Sequence, residues 1–141
     1  MGRVPPRRTW GDELKVLVTG GAGLVAGYLW RSAPAAHRVE LTWHERPPPV
    51  GSTSHRVDLT DAGATAALVD AVAPDVVVHT AYSMTDRAAI VDATTNVAAA
   101  CAHVGAAMVH LSTDTVFAGD DPPYVESDEP RPITDYGRWK A

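Results

Sequence analysis

Val18-Thr19-Gly20-Gly21-Ala22-Gly23-Leu24-Val25-Ala26-Gly27 is the stretch on which the fold turns. It completes an apolar run, Lys15 to Thr19, that ends in glycines as a buried parallel strand should. From Ala22 to about Arg31 the chain then reads as a helix. Gly20 permits the tight turn between the two, and Gly23 lets the backbone approach a pyrophosphate. Ala26 takes the close-packing position, where either Gly or Ala fits. Amides at the helix start, around Leu24 and Val25, then face the phosphates, and the helix dipole adds to the attraction. A glycine pattern alone is a weak signal. With a strand before it and a helix after it, it reads as a dinucleotide site rather than a structural turn.

Outward from this turn, short β-rich runs alternate with Ala-rich helical ones. Arg38 to Trp43 is a second strand, Pro47-Pro48-Pro49 a loop, and Arg56-Val57 a brief third strand. Asp61 to Val72 is a helix with Asp61 placed to cap it. Pro74-Asp75 punctuates before a fourth strand, Val76 to His79. Thr85 or Asp86 opens a long helix to about Val104, which Gly105 stops. Ala107 to Ser112 is the fifth strand, and Ala118 to Ile133 a loop rich in Pro, Asp and Glu. Thr134 or Asp135 caps a last helix. This alternation means right-handed βαβ units and a parallel sheet covered on both faces. The expected architecture is a Rossmann-type three-layer αβα sandwich of strand order 3-2-1-4-5, with its ligand crevice at the carboxyl ends of strands 1 and 4.

Composition bounds the rest. The chain has 141 residues, 45% hydrophobic and 21% charged, the profile of an ordinary globular domain. Its net charge of −5 and pI near 5.6 argue against a nucleic-acid surface. No apolar run approaches the ~20 residues that cross a bilayer. Residues 1–14 read as a disordered extension, because Val4-Pro5-Pro6 cannot continue a helix or central strand. The lone Cys101 lies in an Ala-rich stretch and reads as a small buried apolar residue in a reducing cytoplasm. The six histidines are scattered without zinc spacing, so no metal is expected.

The end of strand 2 bears on cofactor choice. An acidic side chain there would meet a ribose 2′-hydroxyl, but the sequence reads Thr42-Trp43-His44-Glu45-Arg46. His44 and Arg46 favour a 2′-phosphate, hence NADP(H) over NAD(H). A one-residue slip would instead put Glu45 on the ribose. Asp58-Leu59 is placed to touch the adenine through a carboxylate and an apolar wall, although Asp58 could equally support a turn. His79-Thr80-Ala81-Tyr82 lies over the same crevice, with Ala81 letting the cofactor pass close and His79 pointing into the fold.

Tyr136 and Lys140 are four apart and share a helix face. A phenol of pKa about 10 is a poor acid–base group near neutrality, and an adjacent ammonium would lower it. Thr113, with Ser112 beside it, would bond a substrate carbonyl while Tyr136 donates the proton.

These motifs occur in the order seen in extended short-chain dehydrogenases/reductases: Thr19-Gly-x-x-Gly-x-x-Ala26, Asp58-Leu59, Pro74-Asp75, Asn96, Ser112-Thr113-Asp114 and Tyr136-x-x-x-Lys140. The Ser112 to Gly119 run, with Tyr124, Glu126 and Pro132 after it, resembles the dTDP-4-dehydrorhamnose reductase group in particular. That resemblance runs from Lys15 to Ala141. It implies Thr113, Tyr136 and Lys140 as catalytic residues, with Asn96 positioning the Lys140 region and Asn96, Tyr136 and Lys140 also expected as cofactor contacts. The implied reaction is NAD(P)H-dependent reduction of a 4-keto nucleotide-activated deoxysugar. A non-catalytic nucleotide-binding regulatory module, or a sugar-nucleotide epimerase or dehydratase, are the alternatives. Members of the group continue well past the Tyr-x-x-x-Lys helix into a substrate domain. Residues 15–141 are therefore expected to be an incomplete NAD(P)-binding domain, with most of the nucleotide-sugar site missing and an apolar strand-5 edge that invites association.

Overall fold

The computed structural model describes residues 13–141. Glu13 and Leu14, the last two residues of the expected extension, are anchored. Glu13 pairs with Arg38 at 2.7 Å, and the Leu14 amide donates to His37 Nδ1. The rest of that extension lies outside the described residues.

Five strands form one parallel sheet in the order β3-β2-β1-β4-β5. They are β1 (Lys15–Thr19), β2 (Arg38–Trp43), β3 (Thr53–Arg56), β4 (Val76–His79) and β5 (Ala107–His110). The helices are α1 (Leu24–Ser32), α2 (Ala62–Val72), α3 (Val91–Val104) and α4 (Asp135–Lys140), with a 3-10 turn at Asp114–Val116. Successive strand side chains point to opposite faces, so Leu17 and Val18 enter different cores. Leu17 and Val77 pack with Val69, Val72, Val97, Ala100 and Cys101 of α2 and α3. Val18 and Leu41 pack with Ala26 of α1, flanked by Leu29, Trp30 and Val78. The sheet is thus the middle of three layers, as the strand–helix alternation requires.

Local chemistry sets most of the boundaries. The Asp61 carboxylate accepts from the Ala64 amide and caps α2, and Thr134 caps α4 through the Gly137 amide. Gly105 ends α3 in the left-handed conformation, its amide bonded to the Cys101 carbonyl. Four boundaries differ from the sequence reading. β3 is Thr53–Arg56, earlier in the chain than Arg56-Val57, because it pairs in register with Glu40 to Trp43. α1 starts at Leu24, since Ala22 and Gly23 belong to the glycine turn closed by Gly23 N–H to Gly20 O. α3 starts at Val91, not Thr85 or Asp86. There Ser83 Oγ accepts from the Thr85 and Asp86 amides, and the Asp86 carboxylate accepts from Ala88. These side chains offer the backbone local partners and replace a helical turn. β5 stops at His110, after which Thr113 caps the 3-10 turn.

Candidate functional site

A crevice of about 900 Å³ opens at the carboxyl ends of the central strands. Its floor is the glycine turn after β1. Gly20 has φ +72, and a side chain there would meet Ala81 Cα at 2.9 Å. Two constraints, left-handed backbone and close approach, therefore require glycine. Gly21 is held as tightly. Its amide donates to the Thr42 carbonyl at 2.6 Å, and a Cβ would meet Leu41 Cβ at 2.8 Å. The signal for Gly21 in the sequence is the tandem Gly20-Gly21, to which no separate role attaches without the structure.

Around this floor the crevice gathers Gly20, Gly23, Leu24 and Val25 from the turn and α1, and His44 and Arg46 from the end of β2. Asp58 and Leu59 follow β3, and Ala81 and Tyr82 follow β4. Leu24, Val25 and Tyr82 present exposed apolar surface. Glu45, the alternative ribose contact, and Thr80 also line it, as do Trp43, Thr60, Ser83, Met84 and Asp86, which no sequence motif marks. His44 and Arg46 share the wall with Glu45. Arg56, over the Trp43 ring, donates to the His44 carbonyl at 3.1 Å.

Asp58 supports a turn and also lines the crevice. One carboxylate oxygen accepts from the Thr60 amide and hydroxyl at 2.9 and 2.7 Å, forming a turn. The other lies 4.0 Å from His44 Nε2 on the crevice wall. The Thr60 hydroxyl and amide, opposed in small part by desolvation, hold the Asp58 carboxyl below its ordinary range.

Asn96 departs from its expected place. Its amide nitrogen donates to the Leu59 carbonyl at 2.9 Å and the Thr60 carbonyl at 3.1 Å. Both N–H groups are thereby used on the loop behind the Asp58 wall, so Asn96 braces that loop rather than Lys140. Asn96, Tyr136 and Lys140 are not among the crevice-lining residues.

Tyr136 lies beside the crevice rather than in its lining, its ring 6.5 Å from that of the lining residue Tyr82. α4 packs on the 3-10 turn, with Gly137 buried against the Thr115 carbonyl. Thr113 Oγ1 accepts from the Thr115 amide and lies 3.1 Å from Asp114 Oδ1, so Thr113 belongs to the same corner. Lys140 Nζ donates to the Leu111 carbonyl at 2.8 Å. Burial lowers the Lys140 pKa. Tyr136 is shifted up, first by burial and second by Tyr82, which corrects the expected lowering by Lys140. The Lys140 ammonium is directed at the Leu111 carbonyl, just beyond β5.

Beneath the floor, His79 is buried, held between Thr19 Oγ1 and Thr94 Oγ1, and stacked on His110 at 5.6 Å between ring centroids. Desolvation, then the charges of His110 and Lys140, bring it down to about 4. Cys101 is buried on α3, its thiol pushed up by desolvation. Among the described residues no helix is long and apolar enough to cross a membrane.

Comparison with known proteins bears on this site. The family described as RmlD substrate binding domain matches residues 14–141. A hypothetical dTDP-4-dehydrorhamnose reductase from Sulfolobus tokodaii superposes with TM-score 0.81 at 28% identity, covering 90% of this chain and 49% of its own. The Bordetella bronchiseptica enzyme WbmG, in complex with NAD and UDP, gives 0.80 at 25% identity, covering 92% and 47%. The UDP-glucose 4-epimerase of Thermus thermophilus, in complex with NAD, gives 0.80 at 25%, covering 90% and 47%. The present chain thus spans about half the length of these structures. A search of curated proteins by sequence returns no match.

Proposed function

The chain belongs to the RmlD substrate binding domain family, and from that premise we propose that residues 15–141 form an NAD(P)-binding domain of a sugar-nucleotide reductase. The reaction is NAD(P)H-dependent reduction of a 4-keto nucleotide-activated deoxysugar, of the dTDP-4-dehydrorhamnose type. One observation carries this reading. The glycine-floored crevice runs from the His44–Arg46 wall to Tyr82, whose ring neighbours Tyr136. A dinucleotide has its phosphates at the glycine turn and its reactive end beside a proton donor in such an arrangement.

The residues present fit the cofactor. Gly20 and Gly21 bring the turn so close to Ala81 and Leu41 that added side chains would collide, leaving bare backbone at the phosphate position. Leu24 and Val25 offer the helix start, Asp58 and Leu59 the adenine wall, and Ala81 and Tyr82 the far side. When bound, the nicotinamide supplies the hydride. Thr113 orients the substrate carbonyl and Tyr136 gives its phenolic proton to the carbonyl oxygen, with Lys140 holding α4 against the chain just beyond β5. His44 and Arg46, both on the crevice wall, support NADP(H) over NAD(H). The buried lone Cys101, outside any disulfide, suits a cytoplasmic setting.

Similarity to a UDP-glucose 4-epimerase supports a second reading, epimerisation at the same crevice. Calorimetry with NADPH and NADH on this chain, with Gly23→Asp as control, tests the cofactor site. Micromolar NADPH binding that is lost in the control supports it, and a folded chain that takes up neither nucleotide overturns it. Product analysis with a keto-sugar nucleotide, on a chain that also carries the substrate half, separates reduction from epimerisation.

A further inference from the structure

Thr19 closes β1 and His79 closes β4, and the two are register partners across the parallel pair. Each is 1% exposed. A threonine hydroxyl has one proton to give and two lone pairs to receive with. Thr19 Oγ1 accepts from the Thr80 amide at 3.0 Å and from the Ala81 amide at 3.1 Å. Both lone pairs are then used, and its proton has one remaining partner, His79 Nδ1 at 2.9 Å. His79 must therefore accept at Nδ1 and carry its hydrogen on Nε2. Thr94 Oγ1 receives that hydrogen at 3.1 Å.

The chain Thr94–His79–Thr19–Thr80/Ala81 has one consistent direction of donation. It ends on the backbone that passes 2.9 Å from the Cβ position of Gly20, the floor of the crevice. Neither His79 nor Thr94 lines the crevice. We propose that His79 is a positioning residue: locked as the Nε2–H tautomer by Thr94 on α3, it directs the Thr19 hydroxyl so that both lone pairs face the Thr80 and Ala81 amides and hold the crevice floor. Turning the imidazole to the other tautomer sets an N–H against a hydroxyl that has no lone pair left, and one crevice amide loses its acceptor. The relay stands on the hydrogen-bond geometry alone. Its consequence for affinity rests on the reading of the crevice as a dinucleotide site.

The test pairs Thr94→Val, isosteric but unable to accept, with Thr94→Ser, which restores the acceptor. The first readouts need no ligand: ¹⁵N imidazole shifts of His79, and amide exchange at Thr80 and Ala81 against Val77 as an internal reference. In the parent chain we expect the Nε2–H tautomer at neutral pH and slow exchange at Thr80 and Ala81. In Thr94→Val we expect mixed tautomers and exchange at those two amides at least tenfold faster, with Val77 within twofold. Thr94→Ser returns both to parent values. A general loss of packing would instead speed Val77 as well, and that outcome overturns the positioning role. So does an Nδ1–H tautomer in the parent, or unchanged exchange in Thr94→Val. NADPH affinity, measured by calorimetry, should fall about fivefold in Thr94→Val, the scale of one neutral hydrogen bond. If the parent chain binds neither NADPH nor NADH, the cofactor reading fails on its own, while the tautomer and exchange data still decide the relay.

Discussion

Lys140 Nζ donates to the carbonyl of Leu111 at 2.8 Å, tying the last turn of α4 to the chain just beyond β5. Tyr136, four residues earlier on the same helix, takes its electrostatic surroundings from burial and from Tyr82. The two side chains share a helix face but have different partners. Replacing Tyr82 by Phe should therefore lower the Tyr136 pKa part of the way toward its ordinary value, burial being the larger cause. Lys140→Met should leave it nearly unchanged. Ultraviolet titration of phenolate absorbance in Tyr136→Phe difference pairs reads this directly; a larger shift from Lys140→Met than from Tyr82→Phe would contradict the assignment.

Gly137 seats α4. A Cβ there would run into the Thr115 carbonyl and crowd Pro132. Gly137→Ala should thus lift α4 off the 3-10 turn at a cost of about 1–3 kcal/mol, although alanine is the better helix former. Local release should appear as faster amide exchange at Arg138 and Ala141, whose amides bond within α4. Unchanged exchange there would show that the turn can move aside.

His79 makes stability depend on pH. Its folded pKa is about 4 against an ordinary 6.5, because burial and then His110 and Lys140 disfavour its charge. The hydroxyls of Thr19 and Thr94 are its hydrogen-bonding neighbours from β1 and α3. The unfolded chain binds the extra proton first as pH falls, so the contribution is complete above pH 6.5 and is lost on the way down to about 4. The loss amounts to roughly 3 kcal/mol. Urea melts between pH 7 and 4 should show this slope, and His79→Asn should remove most of it. An equal slope in the variant would assign the effect to other groups.

Asn96 holds the Leu59–Thr60 backbone with its side-chain amide. Asn96→Ala should cost about 1–2 kcal/mol by leaving those carbonyls without their donor. Because the Asp58 turn sits on this loop, nucleotide affinity should weaken along with stability. Chemical denaturation checks the first and calorimetry with NADPH the second. Retention of full stability would mean that water replaces the amide without loss.

Ala73 ends α2 at φ +47, in the left-handed region that a Cβ disfavours. Ala73→Gly should relieve that strain and raise stability by up to about 1 kcal/mol, or a few degrees in Tm, offset in part by glycine's unfolded-state entropy. A lower Tm would show that the entropy outweighs the strain.

The sequence by itself determined the order of elements, the parallel sheet and the family. These depend on local patterns: apolar runs at strand length, Asp61 and Thr134 at helix starts, Gly105 at a helix end, and glycines between β1 and α1. The crevice positions of Gly20, Gly23, His44, Arg46, Asp58, Ala81 and Tyr82 were legible for the same reason, since a parallel sheet puts every strand's carboxyl end on one edge. Only the tertiary structure decided which partner each polar side chain takes. Asn96 reaches back 37 residues to Leu59, His79 reaches 60 to Thr19, and Lys140 reaches 29 to Leu111. No periodicity encodes such pairings. They are settled when buried donors and acceptors must find partners within a close-packed interior, and at that stage geometry outweighs motif.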